Sequence, residues 1–151
     1  MTQQATIQGT LSEQDRKAIE TLYSAFSNNP DALDNAVTED WQDIPLAPGQ
    51  DPGREAMKPM IRAFNAAFPD ARITIQELIG VAGKAAVRAE ITGTHEGEWF
   101  GVKPTGKAFV LPIHEFHHVE NGRVTKTWHM EDWFGWLHQM GAMGAGQEQG
   151  R

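Results

Sequence analysis

The segment Phe109–Met130, with the sequence FVLPIHEFHHVENGRVTKTWHM, decides the fold class. Apolar and polar side chains alternate on both sides of Asn121-Gly122, which is typical of two β-strands. Asn-Gly favours the type I′ turn of a two-residue hairpin, so the turn pairs Glu120 with Arg123. The last two strands of the chain are therefore predicted to be antiparallel neighbours in a sheet.

The pattern upstream of this hairpin predicts two further strands, preceded by three helices. Period-two alternation marks the strands Ile73–Ile79 and Ala85–Thr94. Helical spacing marks a helix after the N-cap Ser12, a short helix over 31–37 and a third over 54–68. Segment 41–53 is predicted to be a loop, and segment 132–140 a short helix or an extended tail. Helices followed by an antiparallel run of strands indicate one α+β domain.

The composition excludes several classes of function. The chain has 151 residues, a formal net charge of -7 and no cysteine. Disulfides, thiolate nucleophiles and zinc-thiolate sites are therefore ruled out. Because no stripe of Lys or Arg is present, we expect neither nucleic acid nor an anionic membrane as a partner. The polar N-terminus shows no secretory signal and no apolar run is long enough to span a membrane, so we expect a cytoplasmic location.

The hairpin also predicts the position of a reactive carboxylate. Counting back from the turn places Glu115 opposite Trp128, and continued alternation brings Met130 and Asp132 onto the same face. A carboxylate among apolar and aromatic groups is costly to ionise, so the pKa of Asp132 should rise and the residue could carry a proton near neutral pH. His117 shares this face and could hydrogen-bond the carboxylate or a substrate.

A β-bulge between the two strands would exchange the two faces of the last strand. The unbulged register is favoured because it places Val124, Trp128 and Met130 together on the side of the core. In that register the opposite face carries His114, Phe116, His118, Thr125, Thr127 and His129.

The segment His114–His118 matches the HExxH pattern of helical zinc sites. On a helix, residues four apart lie on one face and can share a metal ion. Here the pattern lies in a strand, where His114 and His118 are roughly 13 Å apart. We therefore predict no metal site.

Several side chains are candidates for lining a substrate pocket. Helical spacing explains most of the aromatic and apolar ones equally well as plain core. Trp41 is less easily assigned to the core, because it lies between Asp40 and Asp43. The candidate substrate-binding residues are Tyr23, Phe26, Trp41, Asp43, Met60, Phe64, Trp99, Glu115, Trp128 and Met130.

Five short motifs occur in one order along the chain, namely GREA at 53–56, AFPD at 67–70, GTHEGE at 93–98, GVKPTGK at 101–107 and WHMEDWFG at 128–135. Each motif is weak alone. Together they resemble the SnoaL-like polyketide cyclases, which are also described as ester cyclases. The resemblance covers about residues 12–141, and segments 1–11 and 142–151 are expected to be flexible.

The resemblance implies a cone-shaped α+β fold shared with ketosteroid isomerase and scytalone dehydratase. Three N-terminal helices would pack against a curved, mostly antiparallel sheet around an internal apolar pocket. The resemblance also implies homodimers or homotetramers, and no cofactor. The Trp-x-x-x-Asp-x-x-Gly spacing carries the family's general acid/base onto Asp132, assisted by His117 or His118. Family members often have an aspartate directly after the tryptophan, where this chain has His129.

The leading functional hypothesis is an intramolecular aldol condensation, or a related acid/base reaction, of a small hydrophobic carbonyl compound. Asp132 would be its general acid/base. One alternative is hydrolysis or dehydration, in which Asp132 with His117 or Asp43 activates water. Another is a non-catalytic domain that binds a small molecule or mediates dimerisation.

Overall fold

A computed structural model of the chain describes residues 9–144. The helices are α1 (Glu13–Ser24), α2 (Leu33–Ala36, preceded by a 3₁₀ turn over Pro30–Ala32), α3 (Arg54–Ala67) and α4 (Trp133–Gln139). The strands are β1 (Val37–Ile44), β2 (Arg72–Val81), β3 (Lys84–Thr94), β4 (Ala108–Glu120) and β5 (Arg123–Glu131).

The five strands form one sheet in the order β1-β5-β4-β3-β2. Strands β2 to β5 pair antiparallel with their sequence neighbours, and β1 is a parallel edge strand beside β5. The predicted α+β fold is confirmed. The predicted loop over 41–53 is wrong at its start, because residues 41–44 belong to β1. Strand β1 has few alternating apolar residues. Its position in the sheet depends on pairing with β5, which is distant in sequence.

The helices cover one face of the sheet and build the core with it. The Ser12 side chain caps α1 by accepting a hydrogen bond from the Asp15 N–H at 3.1 Å, as predicted. Helix α1 packs against β4 and β5, and α3 packs against β1. The large apolar side chains that these helices bury are Ile19, Leu22, Tyr23, Met57, Ile61 and Phe64.

A β-bulge at Thr125 sets the register between β4 and β5. Val119 pairs with Val124, as the Asn-Gly turn requires. The next pair is His118 with Lys126, so Thr125 has no partner across the ladder. The predicted register is therefore wrong from this point to the end of β5.

The bulge reverses the two faces of β5. Thr127, His129 and Glu131 face the helices, whereas Trp128 and Met130 point outward. Thr127 is 2% exposed, compared with 68% for Met130. The expectation that Trp128 and Met130 lie on the core side is therefore wrong.

Asp132 lies directly after β5. Its side chain is exposed and caps helix α4. Its Oδ1 accepts a hydrogen bond from the Gly135 N–H at 2.9 Å. A Cβ atom on residue 135 would overlap the Asp132 carboxylate, so glycine leaves the space that the cap needs. The Asp-x-x-Gly spacing is thus a helix-capping motif, and the predicted burial of Asp132 among aromatic groups is wrong.

The start of the described chain lies against β2. Thr10 forms a β-bridge with Val81, and Leu11 packs beside Gly80. The other residues expected to be flexible at the ends, 1–8 and 145–151, lie outside the described part. Within residues 9–144, no helix is long and apolar enough to cross a membrane.

Asp132→Ala should lower the free energy of unfolding by about 1 kcal/mol, because the cap of α4 is lost. Asp132→Asn should change it by less than about 0.5 kcal/mol, because asparagine caps a helix as well as aspartate does. Urea denaturation of both variants and the parent measures the difference. Equal losses in the two variants would contradict the capping role.

Candidate functional site

A cavity of about 250 Å³ lies between helices α1 and α3 and the inner face of the sheet. Aromatic and aliphatic side chains make up most of its wall. Its titratable groups come from α1 and from the neighbouring strands β1, β5 and β4, and they are Tyr23, Asp43, Glu115, His129 and Glu131. An apolar cavity with a few convergent polar groups is the usual form of a small-molecule site.

The cavity brings together most of the predicted substrate-binding residues. Those that line it are Tyr23, Phe26, Trp41, Asp43, Met60, Phe64, Trp99 and Glu115. Trp128 and Met130 do not line it, because the bulge turns them to the outer face of the sheet.

The three predicted catalytic residues do not line the cavity. Asp132 caps α4 on the exposed side of the chain. His118 lies on the outer face of the sheet, where its ring packs against Trp128 with 4.8 Å between centroids. His117 faces inward but is only 1% exposed, and its two ring nitrogens are occupied by neighbouring side chains.

Three titratable side chains meet in the cavity where β1 lies beside β5. His129 Nδ1 is 2.7 Å from Glu131 Oε1. His129 Nε2 lies 2.8 Å from the Pro45 carbonyl oxygen and 3.5 Å from Asp43 Oδ1. The parallel pairing of the strands creates this cluster, because it sets Asp43 level with Thr127, two residues before His129. The imidazolium form of His129 can therefore direct both N–H groups at oxygen acceptors.

Burial and neighbouring charges shift the pKa values of Asp43 and His129. Burial raises the pKa of Asp43 to about 6, although the His129 charge and the Gln50 amide act in the opposite direction. Burial alone would lower the pKa of His129, but the hydrogen bond to Glu131 and the charges of Asp43 and Glu131 outweigh it and raise this pKa to about 9. Between pH 6 and 9 the pair is therefore Asp43 carboxylate and His129 imidazolium.

A chain of buried hydrogen bonds runs beside this cluster and ends at Glu115. The Trp41 indole N–H donates to Thr127 Oγ1 at 3.1 Å, and Thr127 Oγ1 lies 2.9 Å from His117 Nδ1. His117 Nε2 lies 2.9 Å from the Tyr23 hydroxyl. The Tyr23 hydroxyl donates to Glu115 Oε2 at 2.6 Å. The chain thus links the cavity wall to a carboxylate that faces the cavity.

The available donors set the donor-to-acceptor direction of these hydrogen bonds, which runs from Trp41 to Glu115. An indole N–H can only donate, so Thr127 accepts from Trp41 and directs its own O–H at His117 Nδ1. The single hydroxyl proton of Tyr23 goes to Glu115, so the tyrosine oxygen accepts from the Nε2–H of His117. Burial and the adjacent Glu115 carboxylate raise the pKa of Tyr23 far above its usual value, so its hydroxyl stays a donor. In the fully satisfied pattern His117 therefore accepts at Nδ1 and donates at Nε2.

The histidines of this hairpin lie on both faces of the sheet. In the described part of the chain, no three His, Asp or Glu side chains are arranged to hold a metal ion. His114 is exposed on the outer face of the sheet, on the side opposite to the cavity-facing His129.

The sequence patterns did not predict that His129 and Glu131 line the cavity. The available signal was the polar run Thr125-Lys126-Thr127, which begins after Val124. A run without apolar side chains can absorb one extra residue without exposing or burying a hydrophobic group, so it is a favourable place for a bulge. With the bulge placed there, alternation brings His129 and Glu131 inward.

Thr127→Val should destabilise the protein by roughly 1–3 kcal/mol for each group that it leaves unpaired, namely the Trp41 N–H and His117 Nδ1. Valine keeps the shape of threonine but removes its hydroxyl. Thr92→Val, the same change at an exposed position of β3, should stay within about 0.5 kcal/mol of the parent. Thermal or urea unfolding measures both. A Thr127→Val variant as stable as Thr92→Val would contradict the hydrogen-bond chain.

Comparison with known proteins supports the fold and identifies the family. The model of the SnoaL-like polyketide cyclases matches residues 17–140. TsrD from Streptomyces laurentii has a similar structure, with a TM-score of 0.80 and 23% identity over 88% of this chain and 99% of its own. IdmH from Streptomyces antibioticus has a TM-score of 0.74 and 28% identity over 85% of this chain and 99% of its own.

A SnoaL-like polyketide cyclase from Agrobacterium tumefaciens has a TM-score of 0.70 and 17% identity, over 85% of this chain and 99% of its own. A search among curated proteins finds no match. The family match runs from the first turns of α1 through all five strands to the end of α4 and so includes the whole wall of the cavity. This chain belongs to the SnoaL-like polyketide cyclase family.

Proposed function

We propose that this chain is a cofactor-independent cyclase that moves a proton next to a carbonyl group, with Asp43 as general base and His129 as its cationic partner. The observation that carries this proposal is the Asp43–His129 pair in an apolar cavity, 3.5 Å apart. A base is most useful when its pKa lies near the working pH, and that of Asp43 is raised to about 6. The family supports a small hydrophobic carbonyl compound as the substrate.

The reaction begins when the Asp43 carboxylate removes a proton from the carbon next to a carbonyl group. The electron pair of the broken C–H bond moves onto the carbonyl oxygen, and the charge of the nearby His129 imidazolium stabilises the resulting enolate. The enolate carbon then forms a bond to a second carbonyl carbon of the same molecule. Asp43 returns its proton to the new alkoxide. All atoms of the substrate remain in the product, and the rate depends strongly on positioning by the cavity.

Glu131 supports this reaction as a positioning residue. Its hydrogen bond of 2.7 Å to Nδ1 orients the ring of His129 and favours the charged form. Without the Glu131 charge, the imidazolium would lose its proton at a lower pH. The upper end of the active pH range therefore depends on Glu131.

Activity should follow a bell-shaped pH profile, rising as Asp43 loses its proton near pH 6 and falling as His129 loses its proton near pH 9. Exchange of the α-protons of 2-tetralone in buffered D₂O, followed by NMR, measures this rate without the natural substrate. Asp43→Asn should slow the exchange by about 10²–10⁴-fold. Glu131→Gln should move the falling limb to lower pH.

Asp132→Asn is the matched control, because it makes the same chemical change outside the cavity. It should keep the exchange rate of the parent. The opposite result, with Asp132→Asn inactive and Asp43→Asn active, would return the acid/base role to Asp132, as the family resemblance implied.

The outer face of the sheet supports a homodimer. Phe116 and Trp128 are paired across β4 and β5 on this face, and they are 62% and 36% exposed. Met130 and Ile79 extend the apolar surface, with exposed fractions of 68% and 63%. Contiguous exposed apolar surface of this kind usually marks an interface. A second copy of the chain, packed sheet to sheet, would cover it.

Light scattering coupled to size-exclusion chromatography should therefore give the mass of a dimer or a tetramer. Met130→Lys should shift the protein to monomer, because it places a charge within the apolar patch. Phe134→Lys, on an equally exposed position of α4, should leave the mass unchanged. A monomeric parent protein at micromolar concentration would contradict the proposed interface.

A further inference from the structure

The cavity is more acidic than the proposed reaction requires. Three carboxylates line it, those of Asp43, Glu115 and Glu131, whereas His129 is the single imidazolium among them. Within the described residues, neither Lys nor Arg lines the cavity. The carboxylates also repel one another, since Glu115 and Glu131 both contribute to the raised pKa of Asp43. The cavity therefore carries a net negative charge at neutral pH.

Glu115 is the cavity carboxylate that does not contact His129. Asp43 and Glu131 both lie within 3.5 Å of His129. The ring nearest to Glu115 is that of His117, with 3.4 Å between Nε2 and Oε2. Nε2 lies closer to the Tyr23 hydroxyl oxygen, at 2.9 Å, and directs its N–H there rather than at Glu115.

One oxygen of Glu115 is open to the cavity. Its side chain is 11% exposed and lines the cavity wall. In the part of the chain that the structure describes, the hydrogen bond and the ion-pair contact of this carboxylate are made through Oε2, with Tyr23 and His117. Oε1 is therefore available to accept a hydrogen bond from a ligand.

The hydrogen-bond chain holds Glu115 in the role of acceptor. Each donor along the chain points toward it, and the last donor is the Tyr23 hydroxyl at 2.6 Å. The buried members Trp41, Thr127 and His117 cannot turn without leaving a polar group unpaired. The position of Glu115 is thus fixed before any ligand binds.

Aromatic rings surround the same space. Tyr23, Trp41, Phe64 and Trp99 all line the cavity. The faces of aromatic rings attract cations, and cages of aromatic side chains bind ammonium ligands. A neutral carbonyl compound would use the aromatic wall but leave the charge of Glu115 unbalanced.

We infer that the substrate carries a protonated amine, which donates to Glu115 Oε1 while its carbonyl group lies at Asp43 and His129. The ligand class is therefore a small dicarbonyl compound that also carries an amine, rather than a carboxylic acid. This inference rests on the proposed function, which assigns the carbonyl end, and it adds the amine end. A carboxylate ligand would meet three like charges in a site of low dielectric constant, where repulsion is strong.

Three probes with one bicyclic skeleton test the inference, namely 2-aminotetralin, 2-tetralone and tetralin-2-carboxylate. Quenching of tryptophan fluorescence at pH 7.5 measures their dissociation constants. The amine should bind at least about tenfold more tightly than the ketone, as expected for one charge-assisted hydrogen bond. The carboxylate should bind most weakly.

Glu115→Gln removes the charge with little change in shape. It should weaken the amine about tenfold and leave the ketone within about twofold of the parent. Glu77→Gln, the same change at an exposed position of β2, should alter neither constant. If Glu115→Gln fails to fold, sodium chloride titration and the order of the three probes on the parent protein still decide the question.

Equal binding of the three probes, a preference for the carboxylate, no binding of the amine, or unchanged amine binding in Glu115→Gln would each overturn the inference. The proposed function and this inference can be contradicted independently of each other. Exchange of 2-tetralone protons without a preference for the amine would retain Asp43 as the base and exclude the amine site. A preference for the amine without proton exchange would retain the amine site and exclude the base.

Discussion

The β-bulge at Thr125 determines which side chains of β5 reach the interior. Because side chains alternate along a strand, one unpaired residue exchanges the two faces of everything that follows. It brings Thr127, His129 and Glu131 to the cavity and leaves Met130 on the outer face. The acid/base cluster, the hydrogen-bond chain and the apolar outer surface all depend on this single irregularity.

The charged pair in the cavity is stable because each member offsets the cost of burying the other. An isolated carboxylate in an apolar cavity would hold its proton, and an isolated imidazole would stay neutral. Asp43 and His129 lie 3.5 Å apart, and Glu131 adds a second negative charge on the far side of the ring. The residual burial cost remains visible in Asp43, whose pKa stays near 6. That cost is also what gives the carboxylate useful base strength.

Local patterns predicted much of the fold. The Ser12 cap, the apolar face of α1 and the Asn-Gly hairpin are short-range features, and the structure contains all three. Tyr23, Met60 and Phe64 line the cavity as predicted, because helix periodicity fixes the inward face of α1 and α3. Strand β1 was missed because it is an edge strand held by pairing with β5, about eighty positions further along the chain.

The sequence by itself determined the α+β class, the family and the set of aromatic residues around the cavity, since these follow from periodicity, turn chemistry and ordered motifs. Only the tertiary structure decided which carboxylates meet a histidine. The tryptophan-to-aspartate spacing pointed to Asp132, yet the bulge makes that residue a helix cap. The parallel pairing of β1 with β5 instead brings Asp43 to His129. A bulge and a long-range strand pairing give only a weak signal in the sequence, because both depend on which other parts of the chain pack beside them.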